Sequence, residues 1–548
     1  MNQKKTVKRY EPNLVRSIHP KAYPQWPFDE PPKVPESSQP VYTISADVDQ
    51  MVRMRDGVNL AADVFRPSSP GDKFPVLLSL SPYTRGLQST NVAISQNEAG
   101  ITEFWVPRGY VHVIVDVRGT NDSGGVYDDK GENEQSDYLD LIEWCGTQSW
   151  SNGSVGMMGC SYFAESQVLA ATLKPHHLKA IFPYDAFTDL YRNRNYHGGI
   201  PYTGFMWNWY SAVSNLNFGS GRLEKSAGIQ KLIREGICFE RPLDDEYYRI
   251  RSPFYRLDQI EIPTYFGCDW TFWWLHLQGS FDGWEGTGDI PKKMLIGPRP
   301  EPWRPFAAYQ EEALRWYDYW LKGLDTRVMD GPPIQMYIQG KDVWRGEYEW
   351  PISRAKIQKF YLGGEAGGLE GSLLDSPPSG LERMYISDPN NVEYRHGKPK
   401  LIYRSAPITD EFEILGPLSL HLVAKSSCED TDWLVSLFDE SPDGSSRILT
   451  SGWLRASHRE LDTKRSKQCA PWHPHTRVIP LTPGKEEIFE IGLVPTSNHF
   501  FEGHRLRLEI SSSASAADRT NFHDTLPFYT ENTVLEGKEG SFLEISCV

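Results

Sequence analysis

The segment 155–173, VGMMGCSYFAESQVLAATL, places Ser161 between a short apolar strand and an apolar helix. The serine is flanked by the small residues Gly156, Gly159 and Ala164, which a strained strand-to-helix turn requires because another part of the backbone passes close to it. The first amides of the following helix would point toward the turn, where they could stabilise a negatively charged oxygen. The segment therefore predicts a βα unit with Ser161 as a candidate nucleophile.

The flanking sequence repeats this alternation of strand and helix. Continuous apolar runs predict strands that are buried on both faces, and segments with helical periodicity lie between them. The predicted strands are 74–83, 110–119, 155–161, 178–186, 263–270 and 291–298, and the predicted helices are 135–147, 163–173 and 308–322. Residues 48–67 predict an antiparallel hairpin with its turn at Asp56-Gly57. This order predicts an α/β fold with a parallel sheet covered by helices.

The 548 residues are too many for one core and predict several domains. The expected regions are an extended N-terminal arm (1–44), a first part of the α/β domain (45–186), a helical cap (187–255), a second part of the α/β domain (256–330) and an all-β jelly roll (331–548). The arm is rich in Pro, Lys and Ser, and the cap includes a predicted helix at 223–236. The final region consists of short alternating stretches separated by Gly, Pro, Ser and Asp, which is typical of a β-sandwich.

Composition excludes several classes of function. The formal net charge of −15 argues against nucleic-acid binding, which needs a basic surface. No apolar run is long enough to cross a membrane, and the N-terminus does not resemble a secretory signal. The seven cysteines form no metal-binding spacing, and the acidic residues between 116 and 133 are interpreted as a solvated loop. We therefore expect a cytoplasmic protein with a small-molecule substrate, without cofactor or metal, that forms homo-oligomers through the arm.

Several motifs resemble one family of serine hydrolases. Residues 159–164 (GCSYFA) are similar to the Gly-X-Ser-Tyr-X-Gly turn of the group that contains cocaine esterase, α-amino acid ester hydrolase and X-Pro dipeptidyl-peptidase. The likeness continues through RDGVNL (55–60), SPY (81–83), DVRG (116–119), RWYD (315–318) and GHRL (503–506). The resemblance extends over roughly residues 45–530. It implies an α/β-hydrolase domain with an inserted helical cap, followed by a C-terminal jelly roll.

The resemblance also implies roles for individual residues. The oxyanion hole would be formed by the backbone N–H of Tyr162 and the hydroxyl of Tyr83. The family's acid follows a strand that corresponds to 263–270; Thr271 holds its place here, and Asp269 lies two residues earlier. Where the family has its catalytic histidine, after a Gly-Pro pair, this chain has Glu301. A carboxylate thus takes the place of the usual base, and an ordinary glutamate is a weak base at neutral pH.

Two histidines and an aromatic cluster are further candidates. His276 follows the strand that ends at Asp269 and could enter the site, and His197 could face a pocket from the start of the cap. The alternative for both is a buried structural role, which is the more common one for a histidine in an aromatic cluster. Within WTFWW (270–274), the rings of Trp270, Trp273 and Trp274 are interpreted as lining an apolar substrate pocket, with core packing as the alternative.

Three functions are compatible with these residues. The first is hydrolysis or acyl transfer on an ester or amide of a hydrophobic or aromatic substrate through acyl-Ser161. The second is a lyase, cyclase or isomerase reaction in which Glu301, Asp269 or His276 acts as acid or base. The third is a ligand-binding protein without catalysis, against which the presence of Ser161, Tyr162 and Tyr83 argues.

Overall fold

A computed structural model of the chain describes residues 37–88, 98–219, 221–236, 240–298, 309–365, 368–388, 399–513, 523, 525–537 and 539–548. An α/β domain with a helical insertion packs against a C-terminal β domain. In these ranges, no helix is both long and apolar enough to cross a lipid bilayer.

The α/β domain is built on a ten-stranded sheet with the order β1-β2-β4-β3-β5-β6-β9-β10-β11-β12. Its strands are β1 (Ile44–Arg53), β2 (Asn59–Pro67), β3 (Phe74–Ser81), β4 (Val111–Asp116), β5 (Ser151–Met157), β6 (Leu178–Ile181), β9 (Thr264–Asp269), β10 (Lys292–Gly297), β11 (Ile334–Ile338) and β12 (Val343–Glu347). From β4 to β11 all neighbours are parallel. The carboxyl ends of these strands therefore meet at one edge, where open α/β sheets bind their ligands.

Strand β3 is buried at every position, as its apolar run predicts. Because side chains alternate along a strand, Val76 and Leu78 join the core on one face of the sheet, while Leu77 joins the core on the other. The hairpin β1–β2 is confirmed, and its turn includes Gly57 with φ 87°. The two cores explain why the central strands have continuous rather than alternating apolar sequences.

The α-helices of the described residues are α1 (Arg85–Gln88), α2 (Thr102–Trp105), α3 (Glu132–Thr147), α4 (Tyr162–Thr172), α5 (Thr203–Gly219), α6 (Leu223–Gly236), α7 (Glu246–Arg251), α8 (Leu277–Gly286) and α9 (Gln310–Lys322). Helices α3, α4 and α9 confirm the three helices predicted for the α/β domain. Between β6 and β9 the chain forms a π-helical turn (Leu190–Asn195), the short hairpin β7 (Tyr196–His197) and β8 (Ile200–Pro201), and helices α5–α7. This helical insertion occupies the region predicted as a cap.

The structure corrects the predicted start of the C-terminal region at 331. Strand β11 pairs in parallel with β10, and β12 pairs with β11, so both belong to the hydrolase sheet. The sequence IQMYIQG looks like an isolated sandwich strand because it alternates, yet it is buried at all five strand positions. The next strand in the chain, β13, is the first that belongs to the second sheet.

The C-terminal domain contains an eleven-stranded sheet. Its strands are β13 (Lys356–Gly363), β14 (Glu370–Leu374), β15 (Leu381–Ser387), β16 (Leu401–Arg404), β17 (Phe412–Ser426), β18 (Asp432–Glu440), β19 (Ser446–Arg455), β20 (Glu487–Phe500), β21 (Arg505–Ser511), β22 (Thr530–Glu536) and β23 (Phe542–Cys547). The order is β15-β22-β17-β20-β19-β18-β21-β16-β14-β13-β23, and β17 also pairs with β23. This extra pairing closes the sheet on itself around one apolar core. The jelly-roll connectivity stays a prediction.

The helical insertion contacts the β domain directly. The N–H of Arg455 donates to the carbonyl of Gly198 at 2.9 Å, and a Cβ at Gly198 would lie 2.0 Å from the carbonyl oxygen of Trp453. Only glycine permits this approach. Phe254 stacks on Trp472 of the β domain with ring centroids 4.9 Å apart.

The end of the predicted arm is bound to its own α/β domain. Both the backbone N–H and the hydroxyl of Ser38 donate to the carboxylate of Asp318 on α9, each at 2.7 Å. Residues 1–36 lie outside the described residues, so oligomerisation through the arm stays a prediction.

Candidate active site

Ser161 lies between β5 and α4 at the carboxyl edge of the sheet. Its backbone has φ 59° and ψ −124°, a conformation that is strained for any residue with a Cβ. Its N–H donates to the carbonyl of Tyr184 at 3.1 Å, and its carbonyl accepts from Ala164 at 2.7 Å. The residue is 7% exposed, and no side chain among the described residues hydrogen-bonds its hydroxyl. The structure thus confirms the predicted strand, turn and helix around this serine.

The turn depends on Gly159. This residue has φ 119°, and a Cβ there would lie 2.5 Å from Cβ of Phe163 and 2.8 Å from the carbonyl oxygen of Glu98. Gly156 is similarly confined, because its Cβ would approach Tyr317 of α9 to 2.9 Å. The small residues recognised in the sequence are therefore required by close packing on both sides of the strand.

Tyr83 follows β3 and lies against the start of α4. Its ring is 6.4 Å from the ring of Tyr162 and 6.0 Å from that of Phe163. The indole N–H of Trp209, on α5, donates to the Tyr83 hydroxyl oxygen at 2.8 Å. In this bond the phenol oxygen is the acceptor. The sequence analysis did not identify this contact.

The Tyr162 side chain points away from the turn into a buried polar network. Its hydroxyl donates to Glu134 on α3 at 2.6 Å, and Tyr138 donates to the same carboxylate oxygen at 2.7 Å. Burial raises the pKa of Glu134 to about 7, although these hydrogen bonds oppose the shift. The network fixes the tyrosine whose backbone N–H begins α4.

Lys130 joins this network to the helical insertion. Its ammonium is fully buried, lies 3.8 Å from the ring centroid of Tyr162 and pairs with Asp129 at 3.0 Å and Glu165 at 2.9 Å. Asp129 also pairs with Arg194 of the insertion. Burial alone would raise the pKa of Asp129, but the two cations outweigh it and hold the pKa below its ordinary value. The interpretation of 116–133 as a solvated loop is therefore wrong for Asp116 and Asp129, which are buried, whereas Asp122 and Glu132 are exposed.

Asp269 ends β9 and is fully buried. Its carboxylate accepts the backbone N–H of Thr271 at 2.8 Å, which begins the 3-10 turn Trp270–Phe272. A second acid, Asp185, lies beside it: the Asp185 N–H donates to Gly267 at 2.8 Å, and both carboxylates contribute to the raised pKa of Cys268, after burial. Sequence reasoning missed Asp185, although an aspartate at the end of the apolar run 178–186 was a signal for it.

Glu301, the residue at the family's histidine position, lies outside the described residues. The strand before it is described: Gly297, the last residue of β10, is paired with Asp269 in the sheet. The end of β10 therefore lies beside Asp269 in the sheet.

His276 is buried among aromatic rings at the start of α8. Its ring stacks on Phe187 with centroids 6.2 Å apart and lies 5.6 Å from Phe272. Phe187 in turn lies under Lys130. The structure gives no contact between His276 and Ser161.

His197 lies at the boundary between the insertion and the β domain. Its ring stacks on Trp453 at 4.3 Å and on Tyr202 at 4.6 Å. Its Nε2–H donates to the carbonyl of Asn193 at 3.1 Å, so Nδ1 accepts from Nε2 of His523 at 2.9 Å. Burial lowers the pKa of His197 to about 4 and keeps the ring neutral.

The three tryptophans predicted to line one pocket have different positions. Trp270 is a core residue, because it is 1% exposed and its indole N–H donates to the carbonyl of Tyr337 at 2.6 Å; the prediction is wrong for it. Trp274 is half-buried and packs on Phe205 of the insertion at 5.4 Å. Trp273 lines a cavity of about 700 Å³ between the two domains, together with His197. Neither Ser161 nor Tyr83 is among the residues that line this cavity.

The parallel sheet, the helical insertion and the strained serine at the start of α4 define an α/β-hydrolase. The sequence profile of the X-Pro dipeptidyl-peptidase (S15 family) matches residues 56–298, and that of the X-Pro dipeptidyl-peptidase C-terminal non-catalytic domain matches residues 326–542. Cocaine esterase from Rhodococcus sp. (strain MB1 Bresler) is 28% identical over 86% of this chain and 91% of its own length.

Solved structures agree with these matches. A CocE/NonD family hydrolase from Staphylococcus aureus has 27% identity and a TM-score of 0.80 over 92% of this chain and 94% of its own. An α-amino acid ester hydrolase shares the fold, with 21% identity and a TM-score of 0.74 over 94% of this chain and 98% of its own. The chain belongs to the serine hydrolase family that contains cocaine esterase and the X-Pro dipeptidyl-peptidases. These matches support a serine hydrolase that acts on esters or amides.

Proposed function

We propose that the chain cleaves an ester or amide of an apolar or aromatic compound through an acyl intermediate on Ser161. The backbone strain at Ser161, with φ 59° and ψ −124°, is the observation that carries this proposal. Such strain persists where the surrounding structure enforces it, and in this fold it presents a serine hydroxyl at the edge of the sheet. The hydroxyl oxygen bonds to the substrate carbonyl carbon, the alcohol or amine leaves with a proton, and water then releases the acid.

The tetrahedral oxyanion would accept hydrogen bonds from the Tyr162 backbone N–H and the Tyr83 hydroxyl. The contact between the Tyr83 and Tyr162 rings at 6.4 Å supports this assignment, because it holds the phenol beside the start of α4. The indole of Trp209 occupies a lone pair of Tyr83 and so favours a phenol that donates toward substrate. A donor of this kind is typically worth about 3 kcal/mol in the transition state.

Glu301 is the proposed base that accepts the proton of Ser161. In the sequence it follows Gly297, the last residue of β10, by four positions. The pairing of Gly297 with Asp269 brings the start of this segment next to two buried acids, Asp269 and Asp185. Neighbouring carboxylates raise one another's pKa, which would make a glutamate a stronger base near neutral pH.

The substrate would be enclosed by aromatic side chains of the insertion. Trp209 lies over Tyr83 with ring centroids 6.5 Å apart and stacks against Tyr162 at 6.0 Å. Rings at this position favour an apolar or aromatic acyl group or leaving group over a charged one.

Covalent labelling tests the proposal. A fluorophosphonate probe should label the intact chain at Ser161, and Ser161→Ala should abolish both labelling and ester hydrolysis. Ser166→Ala is the matched control, because Ser166 is a buried serine of the same helix whose hydroxyl donates to the carbonyl of Phe163. Labelling that persists in Ser161→Ala would refute the assignment of the nucleophile.

A second candidate is a lyase, cyclase or isomerase reaction with Glu301, Asp269 or His276 as acid or base. It is favoured by one observation: among the described residues, no histidine contacts Ser161. In this case Ser161 and Tyr83 would only hydrogen-bond the substrate. Ser161→Ala would then retain most of the activity, while Glu301→Gln would abolish it.

A further inference from the structure

Three potential metal ligands lie together on the side of the sheet remote from Ser161. His176 and His177 belong to the loop between α4 and β6, and Glu143 lies on α3. One ligand atom of each residue lies within 4.8 Å of the others. The His177 ring contacts Gly153 near the start of β5, whereas Ser161 follows the end of that strand.

The tautomer of His177 is fixed by the backbone. Its Nδ1 lies 2.8 Å from the carbonyl oxygen of Gly153. A carbonyl oxygen can only accept, so Nδ1 carries the hydrogen and the lone pair of the neutral ring is on Nε2. Nε2 faces Glu143, at 3.7 Å from Oε2. Metal-binding histidines in proteins are oriented by the same kind of hydrogen bond from the other ring nitrogen.

The His177 ring also fits closely against Gly146 of α3, which has no side chain. A Cβ at Gly146 on α3 would lie 2.1 Å from Cγ of His177, so the imidazole occupies the space that any other residue would fill. As a result the His177 side chain is only 16% exposed, although it lies in a surface loop. The ring is therefore held in place before any ligand binds, which lowers the entropic cost of binding.

The distances suit a small divalent cation. Two ligands on tetrahedral Zn²⁺, with bonds of about 2.0–2.1 Å, are separated by about 3.3 Å. The 3.7 Å between His177 Nε2 and Glu143 Oε2 is close to this value. His176 is exposed, so its ring can rotate to complete the set. Two imidazoles and a carboxylate favour Zn²⁺ over Mg²⁺ or Ca²⁺, which prefer oxygen ligands.

We propose that Glu143, His176 and His177 form a Zn²⁺ site with one position open to water. The metal would connect α3 to the loop that precedes β6, two segments that flank β5. The site would thus act as a structural clip on the α/β domain. This inference departs from the sequence-based expectation of no metal.

The test measures Zn²⁺ stoichiometry and affinity of the full chain by competition with a chromophoric chelator. Wild type should bind one more Zn²⁺ than His177→Ala, and Glu143→Gln should weaken that site by at least about tenfold. His421→Ala is the matched control. His421 also pairs with a glutamate, Glu490, at 2.6 Å on the β domain, but among the described residues it does not belong to a cluster of three potential metal ligands. This variant should bind as much Zn²⁺ as wild type.

Two further measurements distinguish Zn²⁺ bound at this site from Zn²⁺ bound elsewhere on the protein. Zn²⁺ should raise the unfolding midpoint of wild type and His421→Ala but not of His177→Ala, and X-ray absorption should show nitrogen and oxygen ligands only. If His177→Ala does not fold, the exposed His176→Ala serves in its place. Equal Zn²⁺ binding by wild type and the histidine variants, or sulfur ligation, would overturn the proposal. The contact between His177 and Glu143 would then be an ordinary histidine–carboxylate contact on the surface.

Discussion

The indole N–H of Trp209 donates a hydrogen bond to the hydroxyl oxygen of Tyr83 at 2.8 Å. Trp209 belongs to α5 of the helical insertion, and Tyr83 follows the central strand β3. The bond therefore joins the element that covers the site to the proposed oxyanion donor. It makes the orientation of the phenol depend on the position of the insertion.

Removing the phenol hydroxyl should impair catalysis more than binding. Tyr83→Phe keeps the ring contacts with Tyr162 and Phe163 but loses the donor. We expect kcat to fall by about 10²–10³-fold with a small change in KM, because the donor acts on the transition state. Steady-state ester hydrolysis measures this. A change confined to KM would show that Tyr83 contributes to binding alone.

Trp209→Phe should act through Tyr83. A neutral hydrogen bond is worth about 0.5–1.5 kcal/mol, so we expect kcat to fall by about three- to tenfold. In the double variant with Tyr83→Phe, the tryptophan substitution should not lower kcat further, since the hydroxyl it orients is absent. Trp207→Phe, an exposed tryptophan on the same helix, is the control. Additive losses would contradict an orienting role.

Ser161→Gly should stabilise the fold while it abolishes activity. The serine is held at φ 59° and ψ −124°, which costs about 1–3 kcal/mol for a residue with a Cβ. Glycine relieves this strain but loses about 0.5–1 kcal/mol through the greater freedom of the unfolded chain. We expect a net gain of about 1 kcal/mol in unfolding free energy. Ser161→Ala keeps the Cβ and should show no such gain in denaturant unfolding.

The sequence predicts the elements that depend on local pattern. Apolar runs identify the buried strands, and the small residues around Ser161 identify the turn, because a Cβ at Gly156 would lie 2.9 Å from Tyr317 and one at Gly159 would lie 2.5 Å from Phe163. The ends of such runs are less certain: the run 178–186 contains only the four-residue strand Leu178–Ile181. Beyond it Tyr184 still forms a bridge with Gly267 of β9, and this bridge brings Asp185 close to the end of β9.

Properties that depend on distant pairing could not be read from the sequence. Strand β11 alternates like a sandwich strand, yet its partner β10 places it in the hydrolase sheet. In the sequence, Lys130 and Asp129 resemble solvated loop residues. In the structure Asp129 pairs with Arg194, which lies more than sixty residues away in the sequence. Trp270 and Trp273 are three residues apart, but one enters the core and the other faces a cavity.

Glu134→Gln should change how stability depends on pH. Burial raises the pKa of Glu134 from 4.5 to about 7 in the folded protein. Between pH 4.5 and about 7 the carboxyl of Glu134 is protonated in the folded protein and ionised in the unfolded chain. Its stabilising contribution to the free energy of unfolding is therefore fully present below pH 4.5 and is lost as pH rises through about 7. This shift in pKa corresponds to a change of about 3 kcal/mol in the free energy of unfolding.

Glutamine does not titrate, so the unfolding midpoint of Glu134→Gln relative to wild type should rise from acidic to neutral pH. A constant offset from the altered hydrogen bond with the Lys130 N–H does not affect this slope. Other buried acids, such as Asp116, titrate in both proteins and cancel in the comparison. A difference between the two proteins that is independent of pH would contradict the raised pKa.

Glu301→His tests the proposed base most directly. If Glu301 accepts the proton of Ser161, the histidine variant should keep hydrolytic activity, because imidazole performs this role in related hydrolases. Its kcat/KM should then depend on a group with a pKa near 6.5, the ordinary value for histidine. Glu301→Gln, which cannot accept a proton, should lower kcat by about 10²–10⁴-fold. Equal activity of wild type and Glu301→Gln would exclude Glu301 as the base and leave Asp269 or His276 for that role.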